Sequence, residues 1–142
     1  MPTESPTATA RAMFVNLPVA DLPRATAFFG ALGFGFDERF TDERTACMVV
    51  GDGAYVMLLT REFFGGFTRR GVADAAGPTG AIVAVTAGSR EECDRLADAA
   101  LRAGATEAIE PIDHGFMYSR SFHDPDGHMG ELVWMDMEAA AG

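Results

Sequence analysis

The residues able to do chemistry crowd toward the C-terminal end of the chain. All three histidines, His114, His123 and His128, fall within residues 113–142. Imidazoles titrate near neutral pH and bind metals through a ring nitrogen. Glu131 opens an otherwise apolar run, Glu131-Leu132-Val133-Trp134-Met135. With a two-residue strand period, Glu131, Val133 and Met135 share one face, and Leu132 and Trp134 the other. A carboxylate there accepts hydrogen bonds from a ligand, acts as a base, or pairs with an arginine such as Arg120. Tyr118 and Arg120 also share a face. A phenol donates and accepts, and a guanidinium grips a carboxylate or phosphate with two bonds; the plain alternative is cross-strand packing beside a surface arginine. His123 and His128 bracket Asp124-Pro125-Asp126-Gly127, the chemistry of a type I turn. The metal site these residues allow is one divalent ion on Glu131 with His123 or His128. The spacing is not that of a helical HExxH motif, and the turn parts the two histidines. The sequence expectation is therefore no metal, with His128 packing the turn.

Other candidates lie earlier. Asn16 interrupts an apolar strand and is either a ligand contact or a structural hydrogen-bonding group. Phe63, Phe64 and Phe67 flank Gly65-Gly66 and are too many for a plain solvent loop. A lid over a cleft, a dimer contact or a short packed helix would hide them. Arg61, Arg69 and Arg70 flank the same stretch, as a positive rim suited to an anionic ligand or as solvated charge. Cys47 and Cys93 form no CxxC and read as buried reduced thiols.

Composition removes several chemistries. All 11 basic residues are arginine, which excludes a Schiff-base or P-loop lysine. The 21 acidic residues give a formal charge of −10, which argues against nucleic acid and anionic membrane as partners. No GxGxxG or nucleophile-elbow motif occurs. No apolar run is long enough for a membrane span, and the start of the chain lacks an apolar leader core. A cytoplasmic location is the expectation.

These residues need elements to position them. Residues 1–10 read as a disordered arm and 138–142 as a flexible tail, leaving a single domain over 11–137. Within it one pattern occurs twice. An apolar strand over 13–19 is followed by a helix over 22–32, capped by Asp21 and stopped by Gly33. Leu22, Ala25, Phe28, Phe29 and Leu32 mark its buried stripe. Strands over 34–40, 44–50 and 54–60 follow. The second copy has a strand over 80–86, then a helix with a Ser89/Glu92 capping box and a stripe of Cys93, Leu96, Ala100 and Leu101. Strands over 106–110, 118–123 and 131–135 complete it. Module one thus spans 12–60, a linker 61–79 with a short helix or turn over 72–76, and module two 80–137. Neither βαβββ unit covers its own sheet, so the two must be placed together.

The segments Phe14-Val15-Asn16-Leu17-Pro18-Val19-Ala20-Asp21-Leu22, Leu32-Gly33-Phe34 and the run from Asp113 to His128, with the closing strand from Glu131, resemble the vicinal oxygen chelate superfamily. The match is to its small bacterial glyoxalase/bleomycin resistance-like branch, often labelled predicted lactoylglutathione lyase. The resemblance implies an α+β fold of paired βαβββ modules forming a curved half-barrel cleft, and a homodimer. In members that are lyases or dioxygenases, side chains from the first and last strands of each half hold a divalent ion. Those positions fall here at Phe14, at Leu58 or within two residues of it, about Gly80, and at Glu131, of which Glu131 alone is a ligand type. The expected function is metal-free binding of a small molecule in an aromatic cleft, with no cofactor. Its candidate ligand-binding residues are Asn16, Phe63, Phe67, Tyr118, Arg120 and Glu131, and Glu131 is the best catalytic candidate. The alternative is a metal-dependent lyase or isomerase of the lactoylglutathione lyase type, with one divalent ion.

Overall fold

The computed structural model describes residues 10–138. The expected arm, except Ala10, and the expected tail, except Glu138, lie outside the described residues. Module one runs β1 (Met13–Val19), α1 (Leu22–Ala31), β2 (Gly35–Phe36), β3 (Thr45–Gly51) and β4 (Ala54–Thr60). Its sheet has the order β1-β4-β3-β2, with β1 parallel to β4. Asp21 caps α1 by accepting from the Arg24 backbone N–H at 3.0 Å. The predicted stripe Leu22, Ala25, Phe28, Phe29 and Leu32 is buried in full. The strand expected over 34–40 stops after two residues. The Asp37 side chain and carbonyl accept from the Arg39 and Phe40 N–H groups, which winds Glu38–Phe40 into a 3₁₀ turn. Pro18, which has no ladder N–H to give, sits on the edge strand.

The linker opens with α2 (Arg61–Gly65), capped by Thr60. The helix therefore forms over the aromatic residues, and 72–76 contains only the start of a turn. Module two runs β5 (Ile82–Thr86), α3 (Arg90–Arg102), β6 (Thr106–Glu107), β7 (Ile112–Asp113), β8 (Met117–His123) and β9 (Met129–Met135). Its order is β5-β9-β8-β6, with β7 also on β8 and β5 parallel to β9. Ser89 accepts from the Glu92 N–H at 3.0 Å, while the Glu92 carboxylate accepts from Gly88, one residue before the cap. On α3, Cys93, Ala97 and Ala100 are buried, whereas Leu101 is exposed.

The helix-covered faces of the two sheets share one core. Phe28 of α1 meets Phe122 of β8 at 5.8 Å between ring centroids. A space of about 40 Å³ remains between the modules, lined by Leu17, Phe29, Val83, Phe122 and Leu132 among others. The turn between β8 and β9 seals the seam. Asp126 accepts from the Ala20 N–H at 2.8 Å and from Arg24 at 3.3 Å. His128 Nε2 lies 2.6 Å from the Pro18 carbonyl, so this nitrogen carries the proton and donates. The opposite face of each sheet stays open, leaving Phe14 and Val49 exposed on one and Ile82 and Met135 on the other. No helix among the described residues is long and apolar enough to cross a membrane.

Candidate functional site

Strand alternation defines the open face of module one. Val15, Leu17 and Val19 of β1 turn toward α1, so Phe14 and Asn16 turn away. The register sets Phe14 beside Tyr55 and Asn16 beside Met57. The Phe14 and Tyr55 rings stack at 4.7 Å. Beside them lies a concavity of about 430 Å³. Met57 and Leu59 floor it, and Phe40, Phe63 and Phe67 wall it, with Asn16 and Thr45 at its polar edge. Phe63 and Phe67 meet edge to face at 5.1 Å. Phe67 nevertheless remains 72% exposed, a large apolar surface for a folded chain to show. The structure thus brings together Asn16, Phe63 and Phe67 from distant segments.

The charges around this cleft are paired within the chain. Arg39 donates to both Asp37 carboxylate oxygens, at 3.0 and 2.7 Å. That pairing holds the Asp37 carboxyl below its usual range and raises Arg39. Arg44 pairs with Asp42 at 3.8 Å and lies over the Phe63 ring at 4.5 Å. Arg61 donates to the carbonyls of Val72 and Ala73 and so pins the linker. The Thr45 hydroxyl is buried with no partner among the described residues.

Tyr118 and Arg120 occupy the other side of module two, against α3. The Tyr118 hydroxyl donates to Asp94 at 2.6 Å, and Arg120 donates to Asp94 at 2.8 Å and to Asp98 at 3.4 Å. The Tyr118 hydrogen bond, then that of Arg120, holds Asp94 below the usual carboxylate range. Arg90 lies 5.2 Å from both the Tyr118 and Trp134 ring centroids. It also grips Asp113 at 2.7 and 2.9 Å. The Arg90 hydrogen bond, with the Gly115 N–H, takes Asp113 down to about 2. A depressed carboxylate favours the native state above its unfolded pKa, and this advantage fades as pH falls from 3.8 toward 2. Replacing Arg90 with Met is expected to return the Asp113 midpoint toward 3.8 in a carboxyl NMR titration. An unmoved midpoint contradicts the pairing.

Glu131 lies on the open face of module two, opposite Ser121 and beside Ala84. Its pairing with Arg120 does not form. Arg120 stands opposite Leu132 and faces α3, so the two side chains leave the sheet on opposite sides. Glu131 does not line the module-one concavity.

The ligand positions carried over from the resemblance divide between the two faces of their sheets. Leu58 is fully buried on the α1 side, and its neighbours Met57 and Leu59 face the cleft. Gly80 precedes β5, whose open-face positions are Ile82, Ala84 and Thr86. Phe14 does lie on the open face. None of these side chains binds a divalent ion firmly. His128 spends its Nε2 on Pro18, and Asp124 accepts from the N–H groups of Asp126, Gly127 and His128. No group of three or more His, Cys, Asp or Glu side chains converges among the described residues. Catalytic metal sites generally need three protein ligands. The donor set of the described residues does not fit such an ion.

Comparison with known proteins agrees with this architecture. Residues 11–51 match the family model described as bleomycin resistance protein-like N-terminal. No curated protein matches the chain significantly. The fold is that of solved glyoxalase/bleomycin resistance protein/dioxygenase structures. Among these the chain is similar to a glyoxalase/bleomycin resistance protein/dioxygenase family enzyme from Burkholderia phytofirmans. That likeness has a TM-score of 0.73 and 17% identity over 89% of this chain and 99% of that one. A hypothetical protein from S. aureus aligns with a TM-score of 0.75 and 24% identity over 89% and 95% of the two chains. The fosfomycin resistance protein FosX from Mesorhizobium loti aligns with a TM-score of 0.66 and 18% identity over 96% and 98%. At these identities the likeness is one of fold.

Proposed function

We propose that this chain is a small-molecule binding protein of the bleomycin resistance-like kind, which holds its ligand in the aromatic cleft of module one without a resident metal. The observation that carries this reading is the concavity itself: about 430 Å³, with exposed Phe40 and Phe67 on its walls. Ligand sites are concave and mostly apolar, with a few placed polar groups. Asn16, Phe63 and Phe67 contact the ligand. In this reading a homodimer sets the open face of module two, with Ile82 and Glu131, over the cleft of a second copy. Tyr118 and Arg120 are then positioning residues, which fix the module-two sheet through Asp94. The lyase alternative needs ligands that the open faces of β1, β4 and β5 do not carry.

The test uses the full chain and the neutral dye Nile red. Replacing Phe63 and Phe67 together with Ala is expected to weaken dye binding by about tenfold, with the circular dichroism spectrum unchanged. Unchanged dye affinity overturns the cleft. Sedimentation should give a dimer, and a monomer at all concentrations removes the second copy from the reading. Tight one-to-one uptake of zinc, nickel or manganese overturns the metal-free part.

A further inference from the structure

We infer that the cleft selects an uncharged, planar ligand with an amide-like edge, and discriminates against anions and cations alike. The inference rests on the binding reading above and goes on to the chemical class of the ligand. A rim of free arginines would draw an anion, but the arginines at this cleft are not free. Both arms of the Arg39 fork that face Asp37 are occupied, at 3.0 and 2.7 Å. A ligand carboxylate can still reach the outer, Nη1 side of Arg39, but the charge it meets there is already balanced by Asp37. The desolvation of the ligand charge is then only weakly compensated. Arg44 is likewise held by Asp42 and by the Phe63 ring.

Cations fare no better. Asp37 is held by Arg39, and Asp42 accepts from the backbone N–H groups of Arg44 and Thr45. Hydrogen-bonding capacity remains on neutral groups. The Asn16 amide gives one bond of 3.3 Å to the Phe14 carbonyl, and among the described residues its oxygen accepts none. One N–H and the oxygen therefore face solvent as a donor beside an acceptor. That pair matches a lactam or carboxamide edge through two parallel hydrogen bonds. Phe63 and Phe67 supply flat apolar surface for the ligand's ring.

The experiment is calorimetry on the full chain at pH 7 with four matched probes. These are naphthalene, naphthalene-2-carboxamide, naphthalene-2-carboxylate and 2-naphthylmethylammonium. The carboxamide is expected to bind about tenfold more tightly than either charged probe. Asn16→Leu is expected to bring the carboxamide down to the affinity of naphthalene, with naphthalene itself unaffected. A charged probe that binds as tightly as the carboxamide overturns the selectivity and leaves the cleft standing. A carboxamide advantage that survives Asn16→Leu overturns the assignment to Asn16. Failure of all four probes overturns the cleft reading, and this inference with it.

Discussion

Replacing Asp124 with Ala is expected to lower the unfolding free energy by about 3 kcal/mol. One carboxylate oxygen of this residue accepts three consecutive backbone N–H groups, those of Asp126, Gly127 and His128, at 2.9–3.0 Å. Alanine leaves the Asp126 and His128 donors without that partner; Gly127 keeps its bond to the Asp124 carbonyl. The turn then loses its shape, and with it the aim of Asp126 and His128 at module one. Asn keeps one acceptor oxygen and should cost less than half as much. Denaturant unfolding of both variants checks the order, and an Ala variant within 1 kcal/mol of the parent refutes it. Burial also raises the Asp124 pKa. The native state therefore takes up this proton more readily than the unfolded chain. Its contribution is greatest below pH 3.8 and declines as pH rises through the raised value, the reverse of Asp113.

Gly127→Ala is expected to cost a similar amount, about 3 kcal/mol, by a different route. The residue has φ +103°, a conformation that side chains rarely adopt. A β-carbon there would stand 2.7 Å from the Ala75 carbonyl oxygen and 2.9 Å from the Ala76 Cα. Both obstacles are backbone, so the linker itself must lift away. The variant should unfold at lower denaturant and be cleaved faster by protease within residues 73–80. A linker as resistant as the parent's would contradict this packing.

Much of the fold was legible because burial imposes its period directly on the residues. The stripe of α1 and the bounds of β1 and β4 follow from apolar spacing that nothing local opposes. The reading erred where a side chain outbid propensity. Phe34-Gly35-Phe36 looks like the start of a long strand, yet Asp37 turns the backbone back on itself. A short helix over the aromatics was one of the alternatives, but the linker's helix or turn was expected over 72–76, whereas Thr60 caps the helix at Arg61–Gly65. In the site, Asn16, Phe63 and Phe67 were legible as residues out of place: an amide in an apolar strand and aromatics beside glycines. The pairing of Tyr118 and Arg120 with α3 was not. Alternation shows that they share a face but not what covers it, and Asp94 and Asp98 read as ordinary helix surface. The cation neutralisers Asp37 and Asp42 were equally hidden, because a turn aspartate gives no sign of the arginine it will hold.

The seam between the modules also sets an order of assembly. The bonds from Ala20 to Asp126 and from His128 to Pro18 join groups 106 and 110 residues apart. They cannot form until nearly the whole chain exists. A nascent chain that has completed β4 has all of module one's strands and α1, but Phe28 still lacks Phe122. The final turn therefore acts as a latch, and closing so long a loop makes docking of the modules a late, slow step. A chain ending before Asp124 also lacks β9, which joins β5 to β8 and carries the buried Leu132, so the module-two half of the shared core cannot close.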